Sequence, residues 1–266
     1  MKTQIFVQAR MGSSRLPGKV LFKIGGKTIF SILVERLRQV RNIDKIILAT
    51  SIDKNNDELV KEAKRLGIDF LRGSEENLLD RFYQASLKFK PDIIIRITAD
   101  CPLIDFNLIN KGFEIFKKGN YDILSNARIR TFPDGMDFEI FKTKTLEIAR
   151  QENFSKFNKN NKKFNEAFLS PTDDLLMKKE FKNKDFINKK DLSGIRLTLD
   201  YKEDFEVIKK VYENLYKKNK YFNLNEILKF LNNNPNLYKI NKEYVHLDYG
   251  FGNFKKQYAK RYKNRK

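Results

Sequence analysis

Short apolar strand patterns alternate with amphipathic helix patterns over the first two thirds of this 266-residue chain. The strand patterns at 3–8, 45–50 and 91–98 are apolar through their centres, and helix patterns separate them. Such strands need cover on both faces, so the alternation predicts an α/β fold with a mostly parallel central sheet and helices on both faces. Ligands of these sheets sit beyond the carboxyl ends of the strands. We therefore expect the functional site in the segments that follow these strands.

The pattern is different in the last third of the chain. An alternating segment at 136–141 predicts an edge or hairpin strand, and 195–199 predicts one more strand. Between them, 153–192 is polar, rich in Asn and Lys and weakly patterned, which favours an insertion or an arm. We expect one domain over 1–231 that includes this insertion, followed by a basic, partly disordered tail over 232–266.

Composition excludes several classes of protein. One cysteine and one histidine leave no disulfide framework within the chain and no histidine-based metal site. No apolar run approaches the about 20 residues of a membrane-spanning helix, and the start lacks the apolar core of a signal peptide, so we expect a cytoplasmic location. The net charge of +20 suggests nucleic acid as a binding partner, but the basic residues are spread along the chain among 34 acidic ones. We therefore expect no specific nucleic-acid partner.

The segment QARMGSSRLPGK, which follows the first strand pattern, concentrates groups that bind phosphate. Its cations, glycines and serines are Arg10, Arg15, Lys19, Gly12, Gly18, Ser13 and Ser14. Arginine can grip phosphate oxygens with two hydrogen bonds, and glycine permits tight turns with an open backbone. The alternative is an exposed basic turn, but the residue types converge on one chemistry. We interpret the segment as a triphosphate-binding loop.

Two familiar phosphate motifs do not account for this loop. The dinucleotide fingerprint G-x-G-x-x-G is absent, and Gly25-Gly26-Lys27-Thr28 imitates the end of a P-loop without its first glycine, since Leu21 stands there. We interpret Gly25-Gly26 as a turn before the helix that starts near Thr28.

Two carboxylates also stand at the exits of strand patterns. Asp100 follows the strongest strand pattern, and Asp200 follows the late one. Mg²⁺ is commonly held by one or two carboxylates together with substrate phosphates. For Asp100, a turn or cap residue before the helix near Asp105 is an equally open interpretation. A cationic loop combined with two strand-end carboxylates is typical of nucleotidyl transfer.

Six segments in the first 210 residues carry a family resemblance. They are QARMGSSRLPGKVL (8–21), ATS (49–51), RGSEENLLDRFYQA (72–85), IIIRITADCPLID (94–105), FPDGMDFEIF (132–141) and RLTLDYKEDFEVI (196–208). In this order they resemble the bacterial sugar-activating cytidylyltransferases of the spore coat polysaccharide biosynthesis protein F type. More distantly, the chain is similar to acylneuraminate and 3-deoxy-manno-octulosonate cytidylyltransferases.

The resemblance implies a Rossmann-like GT-A nucleotidyltransferase fold with a small β-hairpin or arm. It implies transfer of a nucleoside monophosphate, most commonly CMP from CTP, to a sugar acid or sugar phosphate in cell-surface glycan biosynthesis, with release of pyrophosphate. It also implies Mg²⁺ held by Asp100 and Asp200, catalytic roles for Arg15, Lys19 and Asp100, and compatibility with a homodimer. The implied nucleotide-binding residues are Gln8, Ala9, Arg10, Met11, Gly12, Ser13, Arg15, Lys19, Ser74, Asp80, Arg81 and Ala99. The implied acceptor-binding residues are Asp134, Asp137 and Glu139.

One segment departs from the family pattern. Relatives carry an Arg-Glu-His-Val-Thr-like segment after the helix near 150, whereas the nearest stretch here is Asn-Glu-Ala-Phe-Leu at 165–169. The acceptor, the oligomeric state and the activity itself therefore stay open. The alternatives are a glycosyltransferase-like enzyme, a degenerate nucleotide-binding member of the same fold and, more distantly, a non-catalytic nucleic-acid-binding protein.

Overall fold

A computed structural model describes residues 1–160 and 180–245 of the chain. The strands are β1 (Thr3–Gln8), β2 (Lys23–Ile24), β3 (Lys27–Thr28), β4 (Lys45–Ser51), β5 (Asp69–Gly73), β6 (Ile93–Thr98), β7 (Ile123–Ser125), β8 (Glu139–Lys142) and β9 (Asn183–Asp185). The helices are α1 (Ile29–Leu37), α2 (Asp57–Arg65), α3 (Leu78–Phe89), α4 (Phe106–Lys118), α5 (Thr143–Asn160), α6 (Lys202–Tyr216) and α7 (Leu224–Asn233).

Seven of the described strands form one sheet in the order β5-β4-β1-β6-β8-β7-β9. All neighbours pair in parallel except β8, which is antiparallel to both β6 and β7. The chain places β4 and β5 on one side of β1 and then returns to place β6 on the other side. Where the strand order reverses in this way, the two connections leave in opposite directions and open a crevice at the carboxyl ends of the strands. The crevice is therefore expected between β1 and β6.

Both faces of the sheet carry a hydrophobic core. Ile5 and Val7 of β1 belong to the larger core, with buried residues of α1, α4, α6 and α7, whereas Phe6 belongs to a second core with residues of α3 and α5. Side chains alternate along a strand, so one strand supplies both cores. The α/β class and the mostly parallel sheet with helices on both faces are thus confirmed. Among the described helices, none is long and apolar enough to cross a membrane.

The turn predicted at Gly25-Gly26 is confirmed. These residues join β2 and β3 with positive φ angles of 55° and 81°. Glycine adopts such angles without a steric penalty. The helix α1 follows directly, and the Thr28 side chain accepts a hydrogen bond from Ser31 N–H at its start.

Of the two strand predictions in the last third, one was correct in part and the other was wrong. The segment 136–141 contributes β8, which pairs antiparallel with the preceding strand β7, as the hairpin alternative predicts, but it also pairs with β6 and is therefore an inner strand and not an edge. The segment 195–199 forms no regular strand; it makes one isolated bridge, between Asp134 and Arg196. Alternation alone does not distinguish an inner from an edge strand.

Part of the segment expected to be the tail belongs structurally to the domain. Helix α7 continues to Asn233, and Leu237 and Asn241 are buried against the domain. The sequence pattern hardly indicates this packing, because Leu237 is the main apolar residue of the segment that is buried against the domain. The rest of the expected tail lies outside the described residues, as do 161–179, which contain the departing segment 165–169.

The segment around Gly135 passes unusually close to the segment around Leu197. Asp134 N–H donates to Ile195 O, and Leu197 N–H donates to Asp134 O. Gly135 has a φ of 99°, and a Cβ atom built on it would lie 2.5 Å from the carbonyl carbon of Leu197. Only glycine fits this close approach, which brings Asp134 next to Arg196.

We expect Gly135→Ala to lower the free energy of unfolding by about 3 kcal/mol, since it adds both backbone strain and overpacking. Urea unfolding followed by circular dichroism measures the change. Gly194→Ala is the matched control, because no atom lies within 4 Å of a Cβ at that exposed position. Equal stability of the two variants would contradict the close approach.

Candidate active site

A crevice of about 330 Å³ lies at the carboxyl ends of β1 and β6, where the fold predicts it. Eleven of the residues singled out from the sequence line it: Gln8, Ala9, Arg10, Ser13, Ser14, Arg15, Lys19, Arg81, Ala99, Asp100 and Asp200. They come from the loop after β1, the start of α3, the end of β6 and the segment before α6. The topology therefore brings together residues that are far apart in the sequence.

The loop after β1 is closed by its own backbone. Ser13 N–H and Gly18 N–H both donate to the carbonyl of Met11, at 2.9 and 3.0 Å. Gly18 takes a left-handed conformation with a φ of 72°, and the short 3₁₀ turn of 19–21 starts there. Met11 N–H donates to Asn56 Oδ1 at 2.8 Å, which fixes the loop to the start of α2. This geometry turns Lys19 into the protein.

Lys19 stands at the centre of the crevice floor. Its Nζ atom donates to Asp200 Oδ1 and Leu199 O, both at 2.6 Å, and to Asp100 Oδ2 at 3.2 Å. Burial favours a lower pKa for Lys19, but the two carboxylates outweigh burial and raise it. Burial likewise favours a higher pKa for Asp100, and the Lys19 charge outweighs it, so the pKa is lowered. Lys19 and Asp100 are therefore held in their charged forms.

Arg196 is the second buried cation of the site. It is 1% exposed, and its guanidinium donates to Asp200 Oδ2 at 3.1 Å, to Asp204 Oδ1 at 2.9 Å and to Asp134 Oδ2 at 3.0 Å. Asp204 Oδ2 also accepts from the backbone N–H groups of Asp200 and Tyr201. Asp200 is thus fixed from both sides, by Lys19 and by Arg196.

The C-terminal part of the described chain supports this arrangement. Asn241 Nδ2 donates to Asp204 Oδ1 at 2.8 Å and to Arg196 O at 3.1 Å. Tyr244 stacks on Tyr201 with ring centroids 4.1 Å apart, and the Arg15 guanidinium lies over Tyr201 at 5.3 Å from its ring centre. Residues 241–244 are therefore part of the structure that holds the crevice.

The cations at the mouth of the crevice are less firmly held. Arg15 contacts Asp200 Oδ1 at 3.1 Å, and Arg10 contacts Glu75 Oε1 at 2.7 Å, with side chains 40% and 53% exposed. Arg81 is buried and donates to Ser74 O and Glu75 O, and burial lowers its pKa to about 10. Arg81 holds the loop at the start of α3 in place, whereas Arg10 and Arg15 can leave their carboxylate partners for a ligand.

Four residues predicted to bind nucleotide do not line the crevice: Met11, Gly12, Ser74 and Asp80. Met11 and Ser74 act through their backbone carbonyls, which hold the two loops described above. Asp80 faces α5, because its Oδ1 accepts from Arg150 Nε at 3.0 Å.

The acidic residues predicted for the acceptor fall into two groups. Arg130 contacts Asp134 at 2.6 Å and Asp137 at 2.7 Å, so these two carboxylates share one cation. Burial, together with the nearby carboxylates Asp134 and Glu139, raises the pKa of Asp137 to about 7, although Arg130 opposes this. Glu139 is instead buried against Arg96, with a 2.7 Å ion pair. Glu139 therefore does not offer its carboxylate to an acceptor.

The residues that sequence reasoning missed are mostly charged partners inside the protein: Glu75, Arg96, Arg196, Asp204 and Asn241. Arg196 and Asp204 lie within the segment RLTLDYKED, so their roles could have been sought there. Arg96 sits inside the strongest strand pattern, where a charged residue signals a buried partner. No sequence signal marks Asn241.

The carboxylate pair fits a magnesium ion that binds together with a nucleotide. In the described ranges, no three His, Cys, Asp or Glu side chains gather so as to hold a metal ion by themselves. Asp100 and Asp200 nevertheless meet at one cation, the Lys19 ammonium. Mg²⁺ is usually held by one or two carboxylates, with substrate phosphates and waters completing the set. Asp100, 28% exposed against 9% for Asp200, is the more accessible of the two.

This chain is similar to several known proteins. The profile of the cytidylyltransferase family matches residues 4–242. Spore coat polysaccharide biosynthesis protein SpsF of Bacillus subtilis is 32% identical over 240 residues, which cover 86% of this chain and 93% of that protein. 3-Deoxy-manno-octulosonate cytidylyltransferase 2 of Hydrogenovibrio crunogenus is 29% identical over 156 residues, which cover 58% of this chain and 62% of that protein.

A solved structure shares the fold over nearly the whole chain. A cytidylyltransferase from Leptospira borgpetersenii matches with a TM-score of 0.76 at 30% identity, covering 90% of this chain and 97% of that one. Together these likenesses confirm the resemblance identified from the sequence motifs.

We expect Asn241→Leu to lower the free energy of unfolding by about 2 kcal/mol, because it removes two buried hydrogen bonds and leaves Asp204 with one donor fewer. It should also weaken nucleotide binding, since Arg196 and Asp200 lose their support. Urea unfolding and calorimetric titration with CTP measure the two effects. Asn234→Leu is the control, because the Asn234 side chain is exposed and its amide donates to Phe230 O of the preceding helix. Wild-type stability in Asn241→Leu would contradict the supporting role of this segment.

The raised pKa of Asp137 predicts that the stability of the protein depends on pH. Its folded-state pKa of about 7 lies above its ordinary value, so its contribution is present at low pH and is lost as the pH rises through 7. Asp137→Asn should therefore become more stable relative to wild type as the pH is raised from 4 to 8. Unfolding free energies of both proteins across this range test it, with the exposed Glu114→Gln as control. A pH-independent difference would contradict the raised pKa that burial and the nearby carboxylates give Asp137 despite its ion pair with Arg130.

Proposed function

The chain belongs to the cytidylyltransferase family, and on that premise we propose that it transfers CMP from CTP to a sugar acid or sugar phosphate and releases pyrophosphate. The observation that carries the proposal is the crevice between β1 and β6, which Arg10, Arg15 and Lys19 line together with Asp100, after β6, and Asp200, before α6. The sugar-acid acceptor is suggested by the similarity to a 3-deoxy-manno-octulosonate cytidylyltransferase. A role in glycan biosynthesis is suggested by the similarity to a spore coat polysaccharide biosynthesis protein.

Arg10 and Arg15 are the groups that first meet the triphosphate. Both are substantially exposed, and each is paired with a carboxylate, Glu75 or Asp200. An exposed ion pair such as Arg10–Glu75 contributes little to stability, and Asp200 is held by Lys19 and Arg196 as well as by Arg15. Phosphate oxygens carry more charge and accept two hydrogen bonds from one guanidinium, so they can replace the carboxylate partners. Binding then turns both arginines from Glu75 and Asp200 towards the nucleotide.

Lys19 acts where negative charge develops on the phosphate oxygens during the reaction. An acceptor oxygen attacks the α-phosphorus in line; the new O–P bond forms as the bond to pyrophosphate breaks, and the acceptor proton leaves to solvent or a nearby base. The fixed Lys19 ammonium stabilises the charge that develops on the phosphate oxygens, and losing such a group typically costs about 10²–10³ in rate. When bound, Mg²⁺ supplies further positive charge to these oxygens, and Asp100 and Asp200 would hold it.

The acceptor is proposed to bind beside Asp134 and Asp137. Asp134 contacts Arg196, which contacts Asp200, so this cluster adjoins the phosphate end of the crevice. Carboxylates and Arg130 together suit the hydroxyl and carboxylate groups of a sugar acid. Homodimerisation and a cytoplasmic location stay predictions from the sequence.

The test is pyrophosphate release from each of the four nucleoside triphosphates with Mg²⁺, across a panel of sugar acids and sugar phosphates. We expect release with CTP that depends on one acceptor and falls by at least about 10²-fold in Asp100→Asn. Asp92→Asn is the matched control, because Asp92 is an exposed carboxylate just before the amino end of β6, the strand that Asp100 follows. Omission of Mg²⁺ should abolish release in the wild type.

Other outcomes distinguish the alternatives. Release of a nucleoside diphosphate from a nucleotide sugar would favour a glycosyltransferase-like enzyme. CTP binding without release for any acceptor would favour a degenerate member, and salt-sensitive binding of nucleic acid without nucleotide binding would overturn the proposal.

A further inference from the structure

Three polar side chains form a row across the sheet beneath the crevice: Gln8 on β1, Arg96 on β6 and Glu139 on β8. Arg96 and Glu139 are direct cross-strand partners, and Arg96 NH1 donates to Glu139 Oε2 at 2.7 Å. Arg96 Nε donates to Gln8 Oε1 at 2.9 Å. The arginine and the glutamate are nearly buried, at 7% and 6% exposed. The row therefore ends at one partly exposed group, the Gln8 amide, which lines the crevice.

The row fixes which end of the Gln8 amide faces the crevice. A free glutamine can present its oxygen or its NH₂ group, because a half-turn of the amide exchanges the two. Arginine is only a donor, so the Gln8 group that faces Arg96 must be the oxygen. The two amide heteroatoms diverge from Cδ, so Nε2 is turned away from Arg96. Within the described residues, no group accepts a hydrogen bond from Nε2.

The place of Gln8 in the crevice indicates what this donor meets. The phosphate-binding cations Arg15 and Lys19 gather around Asp200. The β5 side of the crevice is instead lined by Leu78 and Arg81 from the start of α3, and Gln8 stands on the floor between β4 and β6. A nucleotide with its phosphates at Lys19 can lay its base towards α3, over the Gln8 amide.

We propose that Gln8 is a base-reading residue whose amide N–H binds the acceptor edge of cytosine, and that Arg96 and Glu139 are positioning residues that hold it as a donor. This inference rests on the proposed function, because it takes CTP as the nucleotide. Cytosine offers two acceptors on this edge, N3 and O2, whereas uracil carries a hydrogen on N3. A fixed donor therefore favours cytosine, and an amide free to turn would accept either base.

The experiment measures CTP and UTP binding by calorimetric titration with Mg²⁺ in four variants and the wild type. Gln8→Met removes the donor without adding charge, and it should weaken CTP binding about tenfold while UTP binding changes little. Gln8→Glu replaces the donor with an acceptor, so it should weaken both nucleotides by charge repulsion yet move the preference towards UTP. Gln39→Glu is the charge-matched control, in the turn after α1, and should leave the preference unchanged.

The fourth variant tests the positioning residues without touching Gln8. Arg96→Met combined with Glu139→Leu removes the buried ion pair as a unit, and such replacements by apolar residues are often neutral or stabilising. The released amide can then turn, so UTP binding should strengthen while CTP binding stays near wild type. A merely structural role would weaken both nucleotides equally. Urea unfolding checks that each variant is folded.

The outcomes separate this inference from the proposed function. An unchanged ratio of CTP to UTP affinity in both Gln8 variants would overturn it, and so would a wild type that binds neither nucleotide. A wild type that binds CTP in preference to UTP through Gln8, but releases no pyrophosphate with any acceptor, would support the inference while the proposed reaction fails.

Discussion

The rest of the site depends on one arrangement of charges, the Lys19 ammonium between Asp100 and Asp200. A buried ammonium is costly unless carboxylates compensate it, and two adjacent carboxylates repel unless a cation lies between them. Each of the three groups therefore keeps the other two in place. The loop after β1, the end of β6 and the segment before α6 meet at this point, where both carboxylates compensate the buried charge of Lys19.

Arg196 extends the same arrangement into the second half of the chain. It joins Asp200, on the phosphate side, to Asp134, on the side proposed for the acceptor. Asn241 then holds Arg196 and Asp204 from the C-terminal segment. The two proposed substrate regions are thus connected through one guanidinium that is almost wholly buried. A shift of either region would have to move Arg196 with it.

The sequence alone predicted the sheet, most helices and the cationic loop, because these depend on local periodicity and residue type. It did not predict that 136–141 would supply an inner strand, since alternation does not reveal which strands pair along the two edges. It placed Glu139 at the acceptor, whereas the pairing of β6 with β8 sets Glu139 against Arg96. Ion pairs between neighbouring strands depend on strand order, and strand order cannot be determined from any short segment of sequence.

The distribution of the site along the chain has a consequence for synthesis. The crevice uses residues from Gln8 to Asp200, and Asn241 and Tyr244 support it from the C-terminal segment. A ribosome that has released the parallel strands β1, β4, β5 and β6 has already produced most of the sheet, but Lys19 still lacks Asp200. Lys19 of the nascent chain can then pair with Asp100 alone, and the phosphate end of the crevice stays incomplete until the segment before α6 emerges with Asp200 and Arg196. A product of premature termination before residue 241 would keep much of the core and lack the support of the phosphate end.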